Sequence, residues 1–223
     1  MASRLARRML VGALVAVGLL AGCGDEAGTT TTEEIQQAAV YSDADVLSVL
    51  VAGNYDIAQV AVGAQTAFDD AASAGTVIDP GATSLVTQQA SDANAALVRL
   101  YGTSEINPAD GSAVEPGGLA ASVAGGVVSN SQTDAQNAQA SDDATAVAGS
   151  DTPDLEYAKA AVAEDQALLD FVTAALDPDS STVKLTSDPL RAELQAEQAT
   201  LTDDLAAAQA ELAALDPESA ASP

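Results

Sequence analysis

Carboxyl groups are the side chains best placed to do chemistry in this 223-residue chain. It has 33 acids against seven bases, one cysteine, no histidine and no tryptophan. Acids stand side by side at Asp69-Asp70, Asp142-Asp143, Glu164-Asp165 and Asp203-Asp204. Two carboxyls at the right separation can act as acid and base on a glycoside, and clustered oxygens can hold a hard cation. Adjacent acids on a helix more often form a solvated face. The missing histidine removes Ser-His-Asp and Cys-His nucleophiles and imidazole-based metal centres. No nucleophile elbow, phosphate-binding loop or dinucleotide fingerprint is present. Two Phe and four Tyr make no aromatic platform for sugars or bases. No catalytic residue and no cofactor is therefore assigned, and the chain reads as a non-enzyme. Its formal charge of −26 would repel nucleic acid and anionic headgroups.

The lone thiol has a specific context. Arg4, Arg7 and Arg8 precede an apolar run from Met9 to Leu20, which ends in Leu20-Ala21-Gly22-Cys23. That run is short for a bilayer span and has the layout of a secretory signal. The four closing residues resemble the bacterial lipobox, in which the thiol accepts a diacylglycerol and the peptide is cut just before it. The resemblance implies a signal peptide over 1–22, lipidation at Cys23 and export to an extracytoplasmic membrane surface. Two or three acyl chains anchor stably where one is marginal. The exported part then carries four bases against 33 acids, a charge of −29. No disulfide is available, since the one cysteine is acylated.

The elements that position the acids read as helices. Residues 23–41, with Thr29 to Thr32 in a row, predict a flexible tether with a reach of about 25 Å. Ser42 with Asp45 is a capping-box start. The stripe Val46, Leu50, Gly53, Ile57, Val60, Ala64, Ala67, Ala71 then follows a 3.5-residue period. Asp79-Pro80-Gly81 reads as a break, with a second helix from about Thr83 to Tyr101 on Val86, Ala90, Ala93, Leu97 and Leu100. Residues 102–130 are rich in Gly, Pro and Ser and predict a long crossover, followed by a short helix over about 132–147. Thr152-Pro153 starts a helix with the stripe Leu155, Ala158, Val162, Asp165, Leu169, Val172, Leu176, ended by Asp177-Pro178. Asp188-Pro189 starts the last, with Leu194, Gln198, Leu201, Leu205, Ala208, Leu212 and Leu215, ended by Asp216-Pro217. Thr182-Val183-Lys184-Leu185 is ambiguous for a strand. About 51 alanines against 48 Leu, Val, Ile and Phe predict a thin core that regular helices can use. The domain so predicted covers 42–216, with a disordered tail at 217–223.

Asp165 and Gln198 interrupt otherwise apolar stripes. A charge in a seam costs several kcal/mol, on the order of 3–5, unless it is paired, solvated or neutralised. The position marks either a core site or a stripe that rotates to a wet edge. Several segments resemble the ferritin-like outer-membrane proteins of unknown function. They are Asp45-Val46-Leu47 through Gly53-Asn54 to Ala61-Val62-Gly63, then Gln89-Ala90-Ser91 to Leu97, then Tyr157-Ala158 to Asp165-Gln166-Ala167-Leu168-Leu169, and finally Ala199-Thr200-Leu201 to Asp204-Leu205. Together they run from about Asp43 to Leu215. The resemblance implies an all-α, ferritin-like up-down four-helix bundle with a long crossover and one extra short helix. It aligns the family's histidines with Ala90, Asp165 and Asp204, and an acidic first-helix position with Gln59.

One of those positions cannot ligate and two are carboxylates. The expected protein is a non-catalytic, lipid-anchored envelope lipoprotein that serves as an interaction or structural module, without a metal. The alternative is a ferritin-like metal-binding or redox protein that uses Asp165 and Asp204, and a small-molecule binder at the gap beside Ala90 is a third possibility. Its partners are the membrane, through the lipid, and an envelope component or protein; nucleic acid is not expected. The excess of Asp (22) over Glu (11) fits adaptation to high salt or a compositionally biased genome.

Overall fold

A computed structural model describes residues 40–102, 118–123 and 140–216. The signal, Cys23, most of the tether, most of the crossover and the tail lie outside these residues. The described part is all helical, with α1 over Asp43–Ser73, α2 over Pro80–Tyr101, α3 over Gly118–Val123, α4 over 140–148, α5 over Pro153–Leu176 and α6 over Asp188–Leu215.

The helices start where local chemistry satisfies their first amides. The Asp45 amide donates to Ser42 Oγ at 3.4 Å, and the Ser42 amide donates to Asp45 Oδ2 at 2.8 Å, which completes the predicted capping box. The Asp79-Pro80-Gly81 segment does not break the chain. Asp79 caps α2, accepting from the Gly81 amide at 2.7 Å, and Pro80 is the first helical residue, so α2 begins three residues before the expected Thr83. Pro153 opens α5 in the same way. The cap of α6 is Ser187, one residue before the expected Asp188, and its Oγ accepts from the Leu190 amide at 3.3 Å. Gly102 closes α2 in the left-handed conformation, φ 78°, which a residue without Cβ adopts at no steric cost.

Two apolar clusters show how the helices run. One gathers Val46, Leu47 and Leu50 from the start of α1, Leu97 and Leu100 from the end of α2, Val172 from the end of α5, and Leu190, Leu194 and Leu201 from α6. The other gathers Val60, Ala64 and Phe68 from later in α1, Leu85 and Val86 from the start of α2, Tyr157 and Ala161 from the start of α5, and Ala208 from α6. Helix α1 therefore runs up, α2 and α5 run down, and α6 runs up. The segment after α2 must return the chain to the end where α5 begins; there the Asp79 amide meets Asp154 Oδ2 at 3.4 Å. The closest packing is α1 on α2, α5 on α6, and then α1 on α5.

Helix α1 touches neighbours on several sides and is buried through most of its first half. It is long and apolar enough to cross a membrane by length and composition, but 78% of that apolar window is buried inside the bundle, as in a core helix. Small residues let its neighbours approach. A Cβ added at Gly53 would stand 2.7 Å from Leu168 Cδ1, and one at Gly63 would stand 2.8 Å from the Ala144 Cβ. Gly53→Val is therefore expected to destabilise the fold by about 1–3 kcal/mol through overpacking, even though valine is a better helix former than glycine. Urea unfolding checks this; a neutral or stabilised variant would show that Leu168 yields freely.

The expected tether ends one residue early. Tyr41 belongs to the folded unit. Its amide donates to the Thr182 carbonyl at 2.7 Å, the Lys184 amide donates back to Tyr41 at 3.0 Å, and its ring meets Phe171 edge-on at 6.0 Å. This isolated parallel bridge, Tyr41 with Val183, is all that the ambiguous 182–185 segment forms. Asp43 fastens the same corner, accepting from the Thr186 amide at 2.9 Å and from the Thr186 hydroxyl.

A buried polar layer between two apolar clusters

Between the two clusters every long helix turns a polar side chain inward. Helix α1 contributes Asn54 and Asp56, α2 contributes Gln89, α5 contributes Asp165, and α6 contributes Glu197 and Asp204. Asp165 is 1% exposed, Gln89 2% and Tyr157 1%. The stripe on α5 does not rotate to a wet edge, so the interruption at Asp165 is a true interior position.

Gln89 is the centre of the layer. Its Nε2 donates to Asp165 Oδ2 at 2.6 Å, and its Oε1 accepts from the Tyr157 hydroxyl at 2.6 Å. The primary amide matches one acceptor and one donor at once, which neither a carboxylate nor an ammonium does. The second Asp165 oxygen, Oδ1, is buried without a hydrogen-bond partner. Burial, then the charges of Asp204 and Glu164, push the Asp165 carboxyl up to about 8, with the Gln89 amide pulling the other way. Burial, together with Asp165 and Asp204, also raises the Tyr157 phenol, so it stays a donor.

Asp204 is held separately, accepting from Gln88 Nε2 at 2.9 Å. Burial, then the Asp92 carboxylate and Asp203, raise it to about 6, while the Gln88 amide opposes them. Asp165 and Asp204 thus share one electrostatic environment but are bonded to different glutamines. One turn further along, Glu197 accepts from Asn54 Nδ2 at 2.7 Å and from Arg99 Nη2 at 3.3 Å, while Arg99 Nε binds Glu193 Oε1 at 2.7 Å. Burial raises the Glu197 carboxyl, and Asn54 and Arg99 lower it.

Several expected positions lie elsewhere. Gln198 is only partly buried and donates to Thr173 Oγ1 at 3.0 Å on the outside, while its neighbour Glu197 faces the interior. Gln59 is exposed, and the acidic group that α1 sends inward is Asp56, one turn earlier. Ala90 is partly buried and packs against the second cluster, and it is Gln89 that enters the layer. The acid pairs divide as well. Asp69 and Asp70 are exposed, but Asp143, Asp165 and Asp204 are buried, so three of the four pairs are not simply solvated faces. Asn54, Gln89 and Glu197 were not marked as site residues. The only sequence signal for them was a polar side chain beside an apolar stripe, which is common on any helix.

The donor set does not suit a metal. Asp165 Oδ2, Asp204 Oδ1 and both Glu197 oxygens are engaged by amides or a guanidinium. Among the described residues no group of three or more His, Cys, Asp or Glu side chains is placed to hold a metal ion, and two aspartates alone are too few for a hard cation. The gap expected beside Ala90 is not where space occurs. A shallow depression lies between α1 and α4, lined by Tyr55, Gln59, Val62, Gly63, Ala140, Ser141 and Ala144.

By class, this is an all-helical bundle with a hydrogen-bonded polar layer across its middle. Comparison with protein-family models, with curated proteins and with solved structures finds no match to the chain.

Proposed function

We propose that the protein is a non-catalytic envelope lipoprotein, lipid-anchored through Cys23, whose ferritin-like bundle serves as a structural or interaction module. The observation that carries this reading is the middle layer. Asn54, Gln89, Asp165 and Asp204 each belong to one of the four segments that resemble the ferritin-like outer-membrane proteins, and all four are buried in that layer. The up-down-down-up order with a long connection after α2 also agrees with that architecture. The layer is closed by the chain's own amides and phenol, which suits a structural role better than ligation. The N-terminal charge, apolar run and lipobox support export and anchoring.

Metabolic labelling with a fatty acid, combined with membrane fractionation, tests the anchor. Wild-type protein is expected to carry the label and to sediment with membranes. Cys23→Ser is expected to lose both. A soluble, unlabelled wild type would sink the assignment. Metal analysis of protein purified without chelator tests the module; stoichiometric metal that disappears in an Asp165→Ala, Asp204→Ala double variant would establish the carboxylate metal-protein reading instead.

A further inference from the structure

Helix α4 turns Ala140, Asp143, Ala144 and Val147 toward the bundle and leaves Ser141, Asp142, Thr145 and Ala146 exposed. Ala140 and Val147 enter the second apolar cluster, and Ala144 meets α1 at Gly63. An aspartate in the middle of such a face needs an explanation. It is buried, at 7% exposure, and it bears on Asp56 of α1, which is 3% exposed with Oδ1 lacking any hydrogen-bond partner. Glu164 of α5 bears on the same carboxyl. Three acids from three elements thus meet where the short helix is seated on the long ones.

We propose that this junction is a proton-held latch: with Asp56 protonated, α4 stays seated on α1 and α5, and ionisation of Asp56 releases α4 while the four long helices stay packed.

The charged and titratable surroundings decide the direction. Burial first, then Glu164, then Asp143, raise the Asp56 carboxyl to about 8. On its own helix, Tyr55 is the neighbour that responds to Asp56, and its phenol is raised. The charges of α2 are directed elsewhere, Asp92 toward Asp204 and Arg99 toward Glu193 and Glu197. Helix α3 carries no charged residue, and Lys159 of α5 pairs with Glu156. On α6, Asp204 and Glu197 act on Asp165 and on each other's surroundings. Ionised Asp56 would therefore be a third negative charge in a low-dielectric junction. Among the elements bearing on it, α4 is much the shortest and has the least buried surface to hold it in place.

Hydrogen exchange in the full chain, in buffer containing a chelator, tests this. Wild type and Asp56→Asn are compared at the same pH, so intrinsic exchange rates cancel. At about pH 6 the two are expected to protect residues 140–148 equally. At about pH 9 the wild type is expected to lose protection there by about tenfold or more relative to Asp56→Asn, with the long helices unchanged. Asp143→Asn provides a second variant in case Asp56→Asn does not fold, and it is expected to reduce the loss. Equal protection in wild type and variant at both pH values would overturn the latch. So would a loss spread evenly over all helices.

Discussion

Gln89→Leu is expected to lower the unfolding free energy by about 3–5 kcal/mol, although leucine is close in size and helix propensity to glutamine. The loss comes from what the amide leaves behind. Asp165 already has one oxygen without a partner, and removing Gln89 strips the other. The Tyr157 hydroxyl loses its acceptor at the same time. Each buried group left unpaired costs about 1–3 kcal/mol, and the low dielectric of the layer raises what is at stake. The informative control is the adjacent residue. Gln88 is exposed and makes one hydrogen bond, to Asp204, so Gln88→Leu is expected to cost about 1 kcal/mol or less. Urea unfolding of the two variants measures the difference. Equal losses would mean that the Tyr157–Gln89–Asp165 chain contributes nothing beyond an ordinary surface hydrogen bond.

The second large effect is on pH. Between about pH 5.5 and pH 8 the wild-type protein is expected to lose stability continuously, a window in which most proteins are near their optimum. The surface carboxylates are already ionised there, and no histidine exists to titrate. Asp56 and Asp165 are raised to about 8 and Asp204 to about 6, against 3.8 in an unperturbed chain. Between those values the folded protein holds protons that the unfolded chain has released. Stability is therefore fully present below about pH 4, declines as pH rises, and levels off once the folded carboxyls have ionised near pH 8. Each titrating carboxyl contributes a slope of about 1.4 kcal/mol per pH unit. Asp165→Asn removes one such group and keeps an oxygen for Gln89, so its profile is expected to be shallower by about that amount. Unfolding free energies measured across the window decide the matter. A flat wild-type profile, or an unchanged slope in Asp165→Asn, would contradict the protonation assigned to the layer.

Arg99 shows why the layer is acidic rather than balanced. The described residues contain four bases, Arg99, Lys159, Lys184 and Arg191, and Arg99 alone reaches a buried carboxylate. With so few cations, the interior acids are matched by amides and by retained protons. Asn54, Gln88 and Gln89 take the place that lysine and arginine fill in a chain of ordinary composition.

The chain alone determined the helices. Ser42 with Asp45, Thr152-Pro153 and the Asp-Pro pairs mark ends through local hydrogen bonds and proline geometry, which depend on a few neighbouring residues and so can be read without the fold. Asp165 was also legible, because an acid in an apolar stripe stands out. The phase of each stripe was not. A seam read at 3.5 residues drifts by about 20° per heptad from a helix turning every 3.6, which is enough to exchange Gln198 for Glu197. On α1 the stripe carried little phase information, because several neighbours bury most of its circumference. Asp56 was hidden because α4, distant in sequence, helps to cover it. Gln88 and Gln89 make the division plainest. They are the same residue at consecutive positions, with identical chemistry and propensity. Only the packing of α2 against α5 and α6 sends one to Asp165 and Tyr157 in the interior and the other to Asp204 at the edge. The sequence determined that amides and acids would meet on helices. Which amide meets which acid depends on the rotation of each helix about its axis, and that is fixed by contacts among all four.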